Sequence, residues 1–373
     1  MKIFKYIPGI LALLFFTIGL CHGQSTNEWI IFRGGPQLSG ATNANISAPM
    51  KLKWTFQADD AFIAAPIVGG NTVFISAVDG TVYALDLQGN LKWKYQTDNA
   101  IEAPALYLDG RVYIGNLSGV LHALDARTGQ LLWKYETDNK IVGSANFFSK
   151  GNNTYLVVGS YDYFLHCVDA KTGKALWKYE TMNFINGTPA VGQGAAFFGG
   201  CDGYLHMVDL ETGELRKQIE LATYIAGSTA LSGNFAFTGD YDGLFTCTNI
   251  ETGKVKWQWD NPESSLPILA SPAITEKVVV IGGQDKHIRC FSKSSGALLW
   301  SFNAGGRVDA SPVVVGGKII VSTMDGMVYV LKLQTGEELW SYEIGSAIPH
   351  NPAVVNGRVI LAAGDGAVYC FEN

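Results

Sequence analysis

The sequence predicts an all-β protein, an eight-bladed β-propeller of four-stranded blades, and three observations carry that prediction. A unit of about 40 residues recurs eight times, in register on the corners at Asp79, Ser118, Asp162, Asp202, Asp242, Asp285, Asp325 and Asp365. Each unit divides into short β-branched and aromatic runs separated by turn residues. Outside the N-terminal apolar stretch, no window repeats its apolar residues with the 3.6-residue period of a helix. A self-similar unit of this length and strand content is the mark of one propeller blade per repeat.

The seventh unit shows the elements in order. Val313-Val314-Val315 and Lys318 to Ser322 are two β-branched runs joined by Gly316-Gly317, a pair that favours a hairpin. Met324-Asp325-Gly326-Met327 is a second tight turn, Val328 to Leu331 a third strand and Glu338 to Tyr342 a fourth. The turn before the fourth strand keeps its chemistry across repeats. It begins at Asp125, Asp169, Asp209 and Asn249 and ends at Gly129, Gly173, Gly213 and Gly253. A short carboxylate or amide can bond the backbone two residues on, so these acids are read as turn residues rather than catalytic ones.

A tryptophan follows each turn, at Trp93, Trp133, Trp177, Trp257, Trp300 and Trp340. A large ring at a fixed repeat position is read as a packing device between neighbouring blades. Lys217 stands in that register in the fourth repeat and predicts a looser seam there. The longer third unit places its extra residues around Phe148 to Asn153, read as an extended hairpin loop. The chain ends after a third strand at Phe371, while Lys51 to Trp54 near the start matches a fourth-strand ending. The early segment is therefore expected to complete the last blade and latch the ring, removing an exposed sheet edge.

The first 23 residues have the basic start and short apolar run of a signal peptide, which leaves residues 24–373 as one propeller domain. Export to the periplasm follows from that reading, with a lipid anchor at Cys21 as its alternative. The formal charge of −6 becomes more negative once Lys2 and Lys5 are removed, which argues against nucleic acid as a partner. Cys167, Cys247, Cys290 and Cys370 share one repeat position and are expected as buried free thiols. His122, His166 and His206 share another, filled elsewhere by Tyr83, Tyr329 and Tyr369; that exchange reads as a blade-interface position, and no metal site is expected.

Propeller ligands bind where the innermost strands meet the central channel. The polar residues of those segments are Glu102, Lys140, Asn186, Arg307, Asp309 and His350, with Phe184 and Tyr224 as an aromatic wall. Equivalent ring positions face one axis, so these residues are candidates for a small polar pocket holding a sugar, an amino acid or a calcium ion. The opposing reading is a solvated mouth whose charges pair with one another. No nucleophile elbow and no phosphate-cradling glycine loop occur.

The Ser-Pro, Asp-Gly-x-Val-Tyr-x-Leu and Thr-Gly-x-x-Leu-Trp pattern resembles the pyrroloquinoline-quinone (PQQ)-type propeller repeat, and Trp29 to Gly34 is similar to the opening of exported members. The resemblance runs from Trp29 to Phe371 and implies one of two activities. Quinoprotein dehydrogenases of this group hold PQQ with calcium and oxidise alcohols or sugars. The alcohol dehydrogenases among them use two adjacent cysteines, which this chain lacks. The shorter, BamB-like branch implies a non-catalytic scaffold for an envelope protein partner in the outer-membrane barrel assembly machinery. The scaffold is the leading expectation and needs no cofactor. The alternatives are a PQQ- or sugar-binding oxidoreductase and a glycan-binding accessory protein, the last suggested by Tyr161, Tyr163 and Tyr241.

Overall fold

The computed structural model describes residues 27–373 apart from Ala222, Ala226 and Glu263. The predicted signal peptide and Cys21 lie outside the described residues. The chain forms eight antiparallel sheets arranged as successive blades. The first blade runs Ile67–Gly69, Thr72–Ser76, Thr81–Asp86 and Leu91–Gln96 from the inside outwards. Blades two to seven follow over 106–136, 146–180, 190–220, 230–259, 273–303 and 313–343.

The eighth blade closes the ring as the sequence predicts. Its three inner strands are Ala353–Val355, Arg358–Ala362 and Ala367–Glu372, and its outer strand is Lys51–Gln57 from the other end of the chain. Trp54 lies opposite Cys370, and Gln57 opposite Ala367. The extra residues of the third unit do not form a loop. They lengthen its first two strands to Asn146–Lys150 and Asn153–Gly159, because Lys150 pairs with Asn153 across a tight turn.

The middle strands of every blade are almost wholly buried, since each sheet packs on both faces against its neighbours. The four register-sharing cysteines are buried free thiols, and burial pushes each of them up to about 12.

Six of the blade seams are held by a tryptophan N–H. The Trp93 indole N–H donates to the Ala126 carbonyl of the next blade at 3.0 Å, and Trp54, Trp133, Trp177, Trp257 and Trp300 do the same to Leu87, Ala170, Leu210, Lys293 and Leu333. The expected loose seam at Lys217 is corrected by the structure. Its ammonium donates to the Ile250 carbonyl at 3.3 Å, in the place the indole takes elsewhere, and also to the Glu251 carbonyl. Trp340 faces the blade where the two chain ends meet and packs on the Phe371 ring at 5.4 Å.

Two further features were not anticipated. Residues Trp29 to Thr42 form a strap along the inner edges of the blades. Val68, Tyr107, Val191, Leu231, Ile274 and Val314, each from a different inner strand, donate their N–H groups to it, and the Asn146 side chain donates to Pro36. Ala41–Thr42 ends the strap as a parallel strand beside Val314–Val315. The strap lies at the end of the channel that carries the first hairpin turn of each blade. Its Arg33 is fully buried, donates to the Pro272 carbonyl, and is pulled down to about 9 by burial.

The second feature is a chain of inter-blade bonds around the channel. Ser144, Thr188, Ser228 and Ser271 each donate a backbone N–H to the side-chain oxygen of the equivalent residue in the next blade, ending on Ser311. All four distances fall at ordinary hydrogen-bond length. Ala65 and Pro104 hold this position in the first two blades and offer no such oxygen.

Candidate functional site

In each blade the antiparallel strands alternate in direction along the channel axis, so the outer-to-inner connections and the corners between second and third strands share one end of the ring. The strap occupies the other end. The candidate site is this strap-free end.

The residues one past the innermost branched position line the channel wall here. Ile63, Glu102, Val142, Asn186, Leu269, Asp309 and Pro349 are all half-buried, whereas their predecessors Phe62, Ile101, Ile141, Ile185, Ile268, Val308 and Ile348 are buried between blades. The alternation is that of extended backbone. Glu102, Asn186 and Asp309 therefore hold equivalent places. Lys140 and Arg307 precede the buried residue instead, and His350 follows the wall position.

The eight sequence candidates gather into two groups. The first spans blades two to five. Lys140 places its ammonium 4.3 Å from the Tyr161 ring centre, and Phe184 stacks on the same ring at 4.5 Å. Burial first, then the charges of Cys201, Glu102 and Tyr241, pushes the Tyr161 hydroxyl up to about 12. Asn186 donates to the Cys201 sulfur at 2.9 Å, and Tyr224 meets Tyr241 edge-on at 6.4 Å. The second group lies on blades seven and eight. Arg307 is paired with Asp309, and the imidazole of His350 is held down to about 4 by burial, against the pull of the Ile63 backbone and the Asp309 charge.

Apolar surface is exposed around the first group. Met182 is 80% exposed, Tyr224 55% and Leu266 51%, and Tyr163 and Tyr241 are also exposed. Tyr163 holds the place taken by glycine in most corners and adopts φ of +76°, in the left-handed region. A bulky residue there costs about 1–3 kcal/mol in backbone strain. Its ring lies 5.3 Å from Phe184 and extends the exposed surface. Tyr163, Tyr224 and Tyr241 stand among the residues the sequence singles out, whereas Met182 and Leu266 lie in connections that carry no repeated pattern.

The three histidines serve the seams, as expected. His166 bonds Asp162 through Nε2 and the Tyr135 hydroxyl of the preceding blade through Nδ1. His206 does the same with Asp202 and Tyr179. The corner acid and the residue four later form this contact in other blades too, as Asp285 with Arg289 and Asp365 with Tyr369. Ser118 replaces the acid before His122, both of whose ring nitrogens are buried without a hydrogen-bond partner; burial and Lys134 hold this imidazole down to about 4. Among the described residues, no group of three His, Cys, Asp or Glu side chains is placed to hold a metal ion.

The family profile of the outer membrane protein assembly factor BamB matches residues 44–147, 142–216 and 284–373. Among solved structures, BamB from Moraxella catarrhalis superposes with a TM-score of 0.74 at 20% identity, covering 87% of this chain and 100% of that one. The quinohemoprotein alcohol dehydrogenase of Comamonas testosteroni superposes with a TM-score of 0.78 at 14% identity, over 94% of this chain and 81% of that one. The computationally designed Ika8 protein gives 0.75 at 20% identity, over 85% and 98%. At these identities the structural likenesses speak for the fold alone. No curated protein sequence matches the chain.

Proposed function

The chain belongs to the family of the outer membrane protein assembly factor BamB, and from that premise we propose that it is an exported, non-catalytic propeller that presents one face to a protein partner in the cell envelope. The observation that carries the reading is the exposed patch of Tyr163, Met182, Tyr224, Tyr241 and Leu266 at the strap-free end. Large apolar and aromatic side chains left exposed together at one end of the ring mark an interaction site. Aromatic side chains supply much contact area at low entropic cost, and the rigid blades beneath hold the connections in place. Assembly of outer-membrane proteins is the process in which such a partner would be sought, and the periplasm is the compartment.

The sequence candidates fit this reading as parts of the docking face. Glu102, Lys140, Asn186, Phe184 and Tyr224 lie at the patch, and Arg307, Asp309 and His350 at the opposite side of the mouth. A photo-crosslinking residue placed at Tyr224 tests it in envelope-localised protein. One discrete crosslinked envelope protein, absent when the crosslinker sits at exposed Leu298 on an outer strand, supports the reading. Equal or absent crosslinking from the two positions overturns it.

A further inference from the structure

We infer that the partner of this face is basic, and that the channel mouth is a socket for a lysine or arginine side chain that the partner carries. The inference rests on the docking reading above and names the chemistry of its occupant.

Charge is distributed unevenly between the two ends of the ring. In the strap-free connections and corners, Asp59, Asp60, Asp98, Asp138, Asp242 and Asp260 are exposed. The only Lys or Arg residues in those segments are Lys140, Lys286 and Arg307. At the strap end the turns mix both signs, as in Asp109 with Arg111, Asp125 with Arg127 and Glu276 with Lys277. A face of one sign attracts its complement and repels its like over roughly a Debye length, about 8–10 Å in physiological salt.

The mouth adds an independent demand for hydrogen-bond donors. The Oδ1 atoms of Asn186 and Asp309, both on the channel wall, are buried and accept no hydrogen bond. Buried acceptors without donors are costly, and both orphans here are oxygens. An ammonium or guanidinium offers only donors and suits such a set. Glu102 supplies countercharge on the channel wall, and Asp309, whose Oδ2 is bound to Arg307, offers its free Oδ1 as an acceptor.

The protein already seats two of its own cations in this surface. Lys140 lies over the Tyr161 ring, and Arg307 is bound to Asp309. The aromatic rings of the patch offer further faces to a cation. A basic segment with an apolar side chain thus finds carboxylates, ring faces and an exposed apolar surface together.

The probe is a fluorescein-labelled heptapeptide of lysines around one phenylalanine, with its glutamate counterpart, titrated into the mature protein by fluorescence polarisation. The lysine peptide is expected to bind and to weaken about tenfold as salt rises from low to above-physiological levels, because rim charges act through screened electrostatics. Glu102→Gln with Asp309→Asn is expected to weaken it about tenfold. Asp242→Asn with Asp260→Asn, at exposed positions, tests the rim without touching the channel wall and is expected to weaken it less. Asp109→Asn with Glu214→Gln at the strap end is expected to leave it unchanged. Equal binding of the glutamate peptide, equal loss in the strap-end variant, or no binding at low salt overturns the inference. Crosslinking from Tyr224 that survives both strap-free-end variants would keep the docking reading while removing this one.

Discussion

The Trp93 ring of the first blade occupies the space that a Cβ on Gly129 of the second would need, its nearest ring atom lying 2.7 Å from that position. Gly129 also has φ of +74°. The glycine of the Thr-Gly turn therefore meets two requirements, a left-handed backbone and a seat for the indole of the neighbouring blade. The same contact recurs between Gly173 and Trp133, Gly213 and Trp177, and Gly336 and Trp300.

Gly129→Ala separates the two requirements when set against Gly110→Ala. Gly110 has the same φ of +74° but nothing within 4 Å of its Cβ position. The Gly110 variant is expected to lose about 1 kcal/mol from backbone strain. The Gly129 variant is expected to lose about 2–3 kcal/mol, since the ring must also shift. Urea denaturation of both measures the difference, and equal losses would assign the glycine to backbone geometry alone.

Lys217 tests whether the seam depends on the ring or on the bond. Lys217→Met removes the donor to Ile250 and is expected to cost about 1 kcal/mol. Lys217→Trp restores the device found at other seams, with Gly253 already in place beside it, and is expected to match or exceed the parent. Thermal unfolding reads both. A tryptophan variant less stable than the methionine one would show that this seam has repacked around its lysine.

Ser118→Asp supplies the corner acid that His122 lacks. A carboxylate four residues before a buried imidazole favours the charged form. The His122 pKa, held down to about 4, is expected to rise on NMR titration, whereas Ser118→Asn leaves it low. No movement in the Asp variant would mean that the two side chains do not meet.

Acid stability should follow Asp162. Burial raises its carboxyl, but the hydrogen bond and charge of His166 and the N–H groups of Phe164 and Asp138 outweigh that, and the group is lowered to about 2 from 3.8. A carboxyl depressed in the folded state stabilises the protein above its unfolded pKa. That stability is lost as pH falls from about 4 through about 2, and it amounts to about 2 kcal/mol. Asp162→Asn is expected to be less stable at neutral pH and to show a flatter loss across that window. An unchanged acid limb in unfolding experiments would remove Asp162 from the account.

The fold was legible in the sequence because a blade is a local object. Its strands are consecutive, its turns are set by Asp, Thr and Gly at short spacing, and repetition displays the rule eight times. Even the long-range pairing of Lys51–Gln57 with Ala367–Glu372 was readable, since one end of the chain lacked the strand that the other supplied. The sequence also placed Trp93 and its equivalents at the seams and His166 and His206 within them.

Tertiary structure alone decided what depended on several blades at once. Trp29 to Thr42 carries no repeat, so its course along the inner strands could be set only by the N–H groups that those strands leave unpaired at the axis. Lys217 looked like a defect until the Ile250 and Glu251 carbonyls of the next blade were in reach of its ammonium. The mouth residues shared a stretch of sequence register but not a side-chain direction, and strand alternation put Glu102, Asn186 and Asp309 on the wall while leaving Lys140 and Arg307 beside it. Sequence determines what repeats within a blade. The closed ring determines which faces remain free, because only there do groups distant in the chain compete for the same space and the same hydrogen bonds.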